Sequence, residues 1–443
     1  MQKNLDFINT GAIFPPFDER TRLNKYRDSK LLFEGKHDWV FHRWAKTSGY
    51  EALNVIVNWH RRLSVLWADM LFGQRPEIKA ENQELLDETI QSTDFINRLY
   101  ESAIDVSRFG TGLFKVRYDG GVIIDTIPPD IWFPVVDPRN LKDVKQHVLA
   151  WKYSDADEEN FFLAVEIHTK NDVSYRTYSL TRDDGVGTML EEEVETHNLG
   201  KFLVVPVNNV TTSDSLMGVN DYDDINPILE EIEMRLTQIS RVLDKHADPS
   251  MYGDETALEF NERTGEYVVR GGGSFYPVSD ENVKPGYITW DANLQDAQAQ
   301  IKTLMQQFYV ITNTSSAAFG QLEQGLAESG SAMKRLLMAT LIKANRMKTQ
   351  YTTAIINILT IASELSNRNG GGSFGAITVE FRDSLPEDTT EMTNNEVMRY
   401  SNGLTSLESA LGRLDGVSGD ALETEINRIT VRETNNDGRN ENI

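Results

Sequence analysis

Apolar residues recur at two different periods along this chain, and the switches between them mark its parts. Residues 54–72 carry Ile56, Trp59, Leu63, Leu66, Trp67 and Met70 at steps of three and four, the spacing of an amphipathic helix. Gly73 and Pro76 supply its stop. A second helix is expected over 82–109, closing at Gly110. The period then shortens. Residues 112–118, 121–127, 131–136, 146–153, 161–169, 174–180 and 201–207 are short runs of β-branched and aromatic side chains. Turn residues such as Asp119-Gly120-Gly121, Pro128-Pro129 and Asp183-Asp184-Gly185 separate them, which predicts antiparallel strands and hairpins. Residues 1–215 therefore read as an α+β domain. The aromatic residues Trp39, Phe41, Trp44, Trp59 and Trp67 are expected in its core.

The helical period returns at residue 223. Ile225, Ile228, Leu229, Ile232, Leu236, Ile239, Val242 and Leu243 form one stripe. Pro227 falls in the first turn, where its missing N–H costs nothing, and Asp248-Pro249 ends the helix. Glu230, Glu231 and Glu233 lie early and Arg241 and Lys245 late, in line with the helix dipole. Short strands at 267–270, 274–278 and 287–290 follow, too few for a large core of their own. A helix over 293–311 leads back. So a small β module interrupts two helices of similar length. Residues 313–329, rich in Ser, Ala, Gly and Gln, read as a mobile loop. A helix then runs from Ser331 to about Leu365, a length of about 50 Å at 1.5 Å per residue. A strand at 374–381 and an acidic, helical tail complete the chain.

Composition narrows the class. The chain has 443 residues, 40% hydrophobic and 25% charged, which is ordinary globular usage with room for several subdomains. It has no cysteine, which excludes disulfides, thiolate metal sites and a cysteine nucleophile. No secretory signal and no membrane-length apolar run are visible, so a protein made in the cytosol is expected, without a membrane partner. The formal net charge is −24. A protein that grips nucleic acid by neutralising phosphates should be basic on its binding face. An acidic conduit is the other option, because it lets DNA slide by not holding it.

Signals for chemistry are poor. No GxxxxGK[ST] phosphate loop and no HExxH pair occur, and His37, His42 and His60 lack metal-ligand spacing. No GxSxG nucleophile elbow is expected. Gly185-Val186-Gly187 reads as a hairpin turn, and Asp183-Asp184 and Glu191-Glu192-Glu193 as solvated turns. No cofactor, no metal and no enzymatic activity are expected.

Several fragments, in order, resemble one family. Residues 27–37 (RDSKLLFEGKH) and Leu71-Phe72-Gly73-Gln74-Arg75-Pro76 come first. Gly110-Thr111-Gly112, Ile127-Pro128-Pro129 and Phe133-Pro134-Val135 follow. Then come Ser329-Gly330-Ser331-Ala332-Met333-Lys334, Ser384-Leu385-Pro386 and Leu404-Thr405-Ser406 with a glutamate-rich helix. Their collinear order resembles the portal proteins of tailed bacteriophages, the siphophage type in particular.

The resemblance implies an N-terminal wing (1–222), a first stem helix (223–248), a β-rich clip (249–291) and a second stem helix (292–312). It continues with a tunnel loop (313–330), a long wing helix with a return strand (331–385) and a short helical crown (386–443). It implies a dodecameric ring at the capsid vertex through which double-stranded DNA is packaged, retained and ejected. The implied partners are the terminase large subunit, a head-tail adaptor, major capsid and scaffolding proteins, and DNA held without sequence preference. Location in the virion, with assembly in the host cytoplasm, follows. The loop residues expected to meet DNA are Thr314, Ser315, Ser316, Phe319, Gln321 and Gln324. Neutral hydroxyls and amides make phosphate contacts that break and reform easily. An ordinary surface linker is the competing reading. Lys245, Lys302, Arg335, Lys343 and Arg346 are basic residues for the channel or for a neighbouring subunit. The last three fall within about 80° of each other on the helix, off its apolar face, and pairing with the acidic surface of the next subunit is the favoured reading, against DNA contact or plain solvation. Another virion or scaffold protein, or a carboxylate-dependent enzyme in the β-rich half, are the alternative classes.

Overall fold

The computed structural model describes the chain except residues 42–54, 158, 248–249, 254–258, 262–265, 269–274, 279–283, 285, 288–293, 322–329, 382–388, 416–418, 420–421 and 430–443. The chain divides into two compact units. The first comprises Met1–Thr314 and Thr340–Arg382, the second Ser315–Ala339 and Asp383–Ile443.

The first unit opens with helix α1 (Arg20–Glu34), which the apolar pattern did not announce. Helix α2 (Trp59–Phe72) begins where the Asn58 side chain accepts the Arg61 N–H at 2.9 Å, later than the periodicity placed it. Strand β1 (Glu77–Ala80) follows. The single helix expected over 82–109 is two, α3 (Gln83–Ser92) and α4 (Phe95–Phe109). The cause is local. Thr89, Ser92 and Thr93 each turn a hydroxyl back onto a carbonyl of the preceding turn, and Asp94 takes a left-handed conformation with φ 52°.

Strands β2 (Thr111–Tyr118), β3 (Val122–Ile127), β4 (Val135–Asp137), β5 (Asn140–Ser154), β6 (Phe161–His168), β7 (Asp172–Leu180), β8 (Val186–Thr196) and β9 (Val204–Asn208) build two sheets. One runs β4-β5-β6-β7-β8 as an antiparallel meander, the other β3-β2-β9. One face of the larger sheet buries Phe133, Val148, Leu163, Val165 and Ile167 with Phe7, Ile8 and Phe14 from the N-terminal segment. Leu149 on its other face packs with Leu113, Trp132 and Val204. Strand β8 corrects two expectations. Val186 and Gly187 belong to a strand, and Glu191, Glu192 and Glu193 lie along it rather than in a turn. Of the expected aromatic core, Trp67 and Phe41 are buried, Trp59 is half-buried and Trp39 is 71% exposed; Trp44 lies outside the described residues.

Helix α5 (Asn226–Ala247) leaves this body, and α6 (Leu294–Thr312) returns to it. Between them lie short strands β10 (Met251–Gly253), β11 (Glu259–Asn261), β12 (Glu266–Val268), β13 (Phe275–Pro277) and β14 (Gly286–Tyr287). They pair as β13-β10-β14 and β11-β12. The long helix is also two segments, α7 (Gly330–Leu336) and α8 (Met338–Arg368), with Leu337 in a turn between them. Tyr351, Ile355, Ile358, Leu359 and Ala362 keep the expected stripe of α8 in the core. Strand β15 (Ile377–Glu380) pairs antiparallel with β1, so the return strand joins the first unit. In the second unit, helices α9 (Thr389–Ser401) and α10 (Leu407–Asp415) are tied by Arg413, which donates to both oxygens of Glu396 at 3.0 and 2.8 Å.

Two buried histidines carry a pH dependence. His60 of α2 and His147 of β5 are both pushed down to about 3 by burial, each with a further contribution from a neighbouring histidine. An unfolded histidine takes up its proton near pH 6.5. Below that pH the unfolded chain binds protons that the folded chain refuses. Stability is therefore full above about pH 6.5 and falls as pH drops from there toward 3, by up to about 1.4 kcal/mol per pH unit per ring. Urea midpoints are expected to fall between pH 7.5 and 5.5, and His60→Gln to flatten part of that slope. Equal wild-type midpoints at both pH values would contradict buried, neutral rings.

Candidate functional site

The loop after α6 starts from a fixed root. Phe308 is fully buried, its ring centroid 5.5 Å from that of Trp59. One turn on, the Thr312 hydroxyl donates to the Phe308 carbonyl at 2.7 Å. It lies 2.7 Å from the Thr314 hydroxyl, which then donates to it. The Thr314 N–H donates to the Tyr309 carbonyl at 2.9 Å, and Asn313 reverses the chain at φ 56°. These bonds satisfy the last carbonyls of α6. In the second unit, Ser316–Phe319 form a turn of 3-10 helix that ends at Gly320, φ 80°. The Gln321 N–H donates back to the Ser316 carbonyl at 3.0 Å.

The expected site residues separate accordingly. Thr314 is buried and engaged, so it anchors the loop rather than presenting itself to DNA. Ser315, Ser316 and Phe319 are half-buried and Gln321 is exposed; Gln324 lies outside the described residues. The first part of the expected mobile loop is thus an ordered turn. Lys302, Arg335 and Arg346 are exposed on their helices, and the side chain of Lys245 lies outside the described residues. Lys343 corrects the expected basic face. It is 5% exposed, its ammonium 2.8 Å from Asp221 and 4.2 Å from the centre of the Trp67 ring, so it faces its own chain's interior.

Asp221 is a site that the sequence did not disclose. It accepts from Lys343, from the Ser107 hydroxyl at 2.8 Å and from the Asn209 amide at 2.7 Å. Ser107 also receives the Ser64 hydroxyl at 3.0 Å, and Ser64 lies 2.7 Å from the Tyr222 hydroxyl. Four places in the chain meet here: α2, α4, the segment ahead of α5, and α8. Gly110 and Gly218 permit the approach. A Cβ on either would strike the backbone of the other, and Gly110 also has φ 84°. A second buried pair holds α5 directly. His37 Nδ1 lies 2.7 Å from Glu233, whose same oxygen accepts the Val57 N–H at 3.0 Å. The sequence did carry a sign of this. Glu233 falls on the apolar stripe between Leu229 and Leu236, where a solvated acid has no place.

The letters G-x-S-x-G do occur, at Gly371, Gly372, Ser373, Phe374 and Gly375. They join a helix to a strand, the reverse of a nucleophile elbow. Ser373 shares its hydroxyl with Ser363 at 3.1 Å, and no histidine bonds it among the described residues.

The profile of the family described as phage portal protein, SPP1 Gp6-like, matches residues 18–438. The chain belongs to this family of phage portal proteins, and its role is that of a structural portal or connector component of the virion. No curated protein matches it. Among solved structures it is similar to a chain from the virion of a native gene transfer agent particle, with TM-score 0.47 and 10% identity over 92% of this chain and 96% of that one. It is similar also to a chain from the neck of an empty particle of that kind computed with C6 symmetry, with TM-score 0.47 and 10% identity over 91% and 94%.

Removing one partner of a buried ion pair costs about 3–5 kcal/mol, whereas replacing both is far milder. Lys343→Met is expected to destabilise within that range in urea unfolding, and adding Asp221→Asn to recover much of the loss. A Lys343→Met variant as stable as the parent would contradict the buried pair.

Proposed function

We propose that the chain is one subunit of a dodecameric portal ring at the capsid vertex, and that DNA enters, is retained and leaves through its central channel. The observation that carries this reading is the family match over residues 18–438. The order of elements supports it. Two helices flank a small β module, and a turn and a long helix follow. In this reading residues 1–222 with 331–385 are the wing, 223–248 and 292–312 the stem, 249–291 the clip, 313–330 the tunnel loop and 386–443 the crown. The clip docks the terminase large subunit during packaging and a head-tail adaptor afterwards. Capsid and scaffolding proteins surround the ring, which assembles in the host cytoplasm and stays in the virion.

The physical logic is one of weak grip. With a formal charge of −24, the surface repels phosphate, so DNA meets no sheath of cations that would hold it. Contact falls to Ser316, Phe319 and Gln321, whose side chains offer a hydroxyl, a ring and an amide. Such contacts are short-lived, which suits a moving polymer. No ATP-hydrolysing loop is present in the sequence, so the work comes from a separate motor.

Packaging in infected cells tests the reading. Deleting residues 316–321 removes the turn beyond the root at Thr314. Heads are expected to assemble at parental number but to be largely empty of DNA. Normal filling with the deletion in place would remove the tunnel loop from the reading.

A further inference from the structure

We infer that the open acidic face of β7 and β8 receives the Arg346 side of α8 from a second copy of this chain. The inference rests on the ring reading above and names the two surfaces that would join neighbouring subunits.

Strand β8 is the edge of its sheet, and from Thr188 to Thr196 every residue is exposed. It carries Glu191, Glu192, Glu193 and Glu195 and no lysine or arginine. Glu192 is paired with Arg176 at 2.9 Å, and Glu195 accepts the Tyr175 hydroxyl at 3.4 Å. Glu191 and Glu193 have no ion pair or hydrogen bond among the described residues. In register they stand opposite Thr177 and Tyr175, so they share one face of the sheet. There they line an open groove of about 510 Å³ together with Trp151, Tyr175 and Thr177. The Tyr175 hydroxyl is pushed up to about 12, first by burial and then by Glu166 and Glu195.

Two free carboxylates beside two aromatic rings form a receptor for a planar guanidinium, which stacks on the rings and bonds the carboxylates in pairs. Phosphate is repelled by the same groups, so DNA is a poor occupant. The strand also exposes Met189 and Val194, opposite Tyr178 and Ser174 on the other face of the sheet. A long edge strand bearing apolar side chains invites another chain to cover it.

Helix α8 offers the complement. From Met338 to Ser363 it contains no acid. Ile342 is 64% exposed, and Arg346, one turn on, is exposed with no partner among the described residues. A free arginine on one surface is thus matched by two free glutamates on the other. The two patches are different surfaces of one chain. Their contact is head-to-tail, the kind that closes into a ring rather than a two-fold dimer.

The full chain tests this by charge exchange. Glu191→Arg with Glu193→Arg, and separately Arg346→Glu, are expected to reduce ring assembly by about tenfold or more, because like charges then meet across the contact. Light-scattering mass and negative-stain images read the assembly. The three exposed substitutions should leave the far-ultraviolet circular dichroism of the folded chain unchanged, and combining them should restore rings. Because the chain has no cysteine, Glu193→Cys with Arg346→Cys gives an independent readout, a ladder of disulfide-linked multimers under mild oxidation. Reversal variants that assemble like a ring-forming parent would overturn this contact and leave the ring reading standing. Loss in each reversal without rescue by the combination would overturn the pairing of these two surfaces. A parent that never forms rings would overturn both.

Discussion

Asp221 is the point at which distant stretches of the chain are made to agree. Its carboxylate is nearly dry, and a dry charge is tolerable only when it is paired and hydrogen-bonded. Lys343 comes from α8, Ser107 from α4 and Asn209 from the segment after β9. The next residue, Tyr222, is buried against Ser64 and the His60 carbonyl of α2. Because Asn226 opens α5 four residues later, this junction also fixes where that helix leaves the body. Glu233, bonded to His37 and to the Val57 amide, holds it about two turns further on. The departure of α5 and the course of α8 therefore depend on the same few polar atoms.

The consequence for function is mechanical. A helical excursion that carries a small β module, the docking module of the proposed reading, must be rigid where it meets the body. The outgoing helix is rigid there through Asp221 and Glu233, and the returning helix through Phe308 and the Thr312–Thr314 hydroxyl pair. The chain beyond Thr314 then begins from a defined point, as the proposed contact with moving DNA would require. Acidity serves the same end. A chain with 68 acidic and 44 basic residues does not bind phosphate by default, which is why the proposed reading assigns contact to a few neutral side chains.

Much of the fold was legible because burial writes itself as periodicity. The helix pair around a small β module, the strand-rich body and the core stripe of α8 from Tyr351 to Ala362 all follow from spacing. What was hidden depends on polar detail. Three hydroxyls of Thr89, Ser92 and Thr93 break a helix that the apolar pattern carries through. Strand β8 escaped because every residue from Thr188 onward is exposed, so its sequence has no alternation to detect. Lys343 was grouped with Arg335 and Arg346 because all three share a helical side by angle. Only tertiary contact with Asp221 and Trp67 separates it from them. The loop was legible as a loop, but not its anchoring by Thr312 and Thr314, since paired threonines have no distinctive pattern.

The portal-ring assignment is tested most directly by negative-stain microscopy of the purified full chain at neutral pH. Closed rings with a central hole, averaging to twelve-fold symmetry, are expected. Uniform monomers at every concentration, or compact oligomers without a hole, would contradict it.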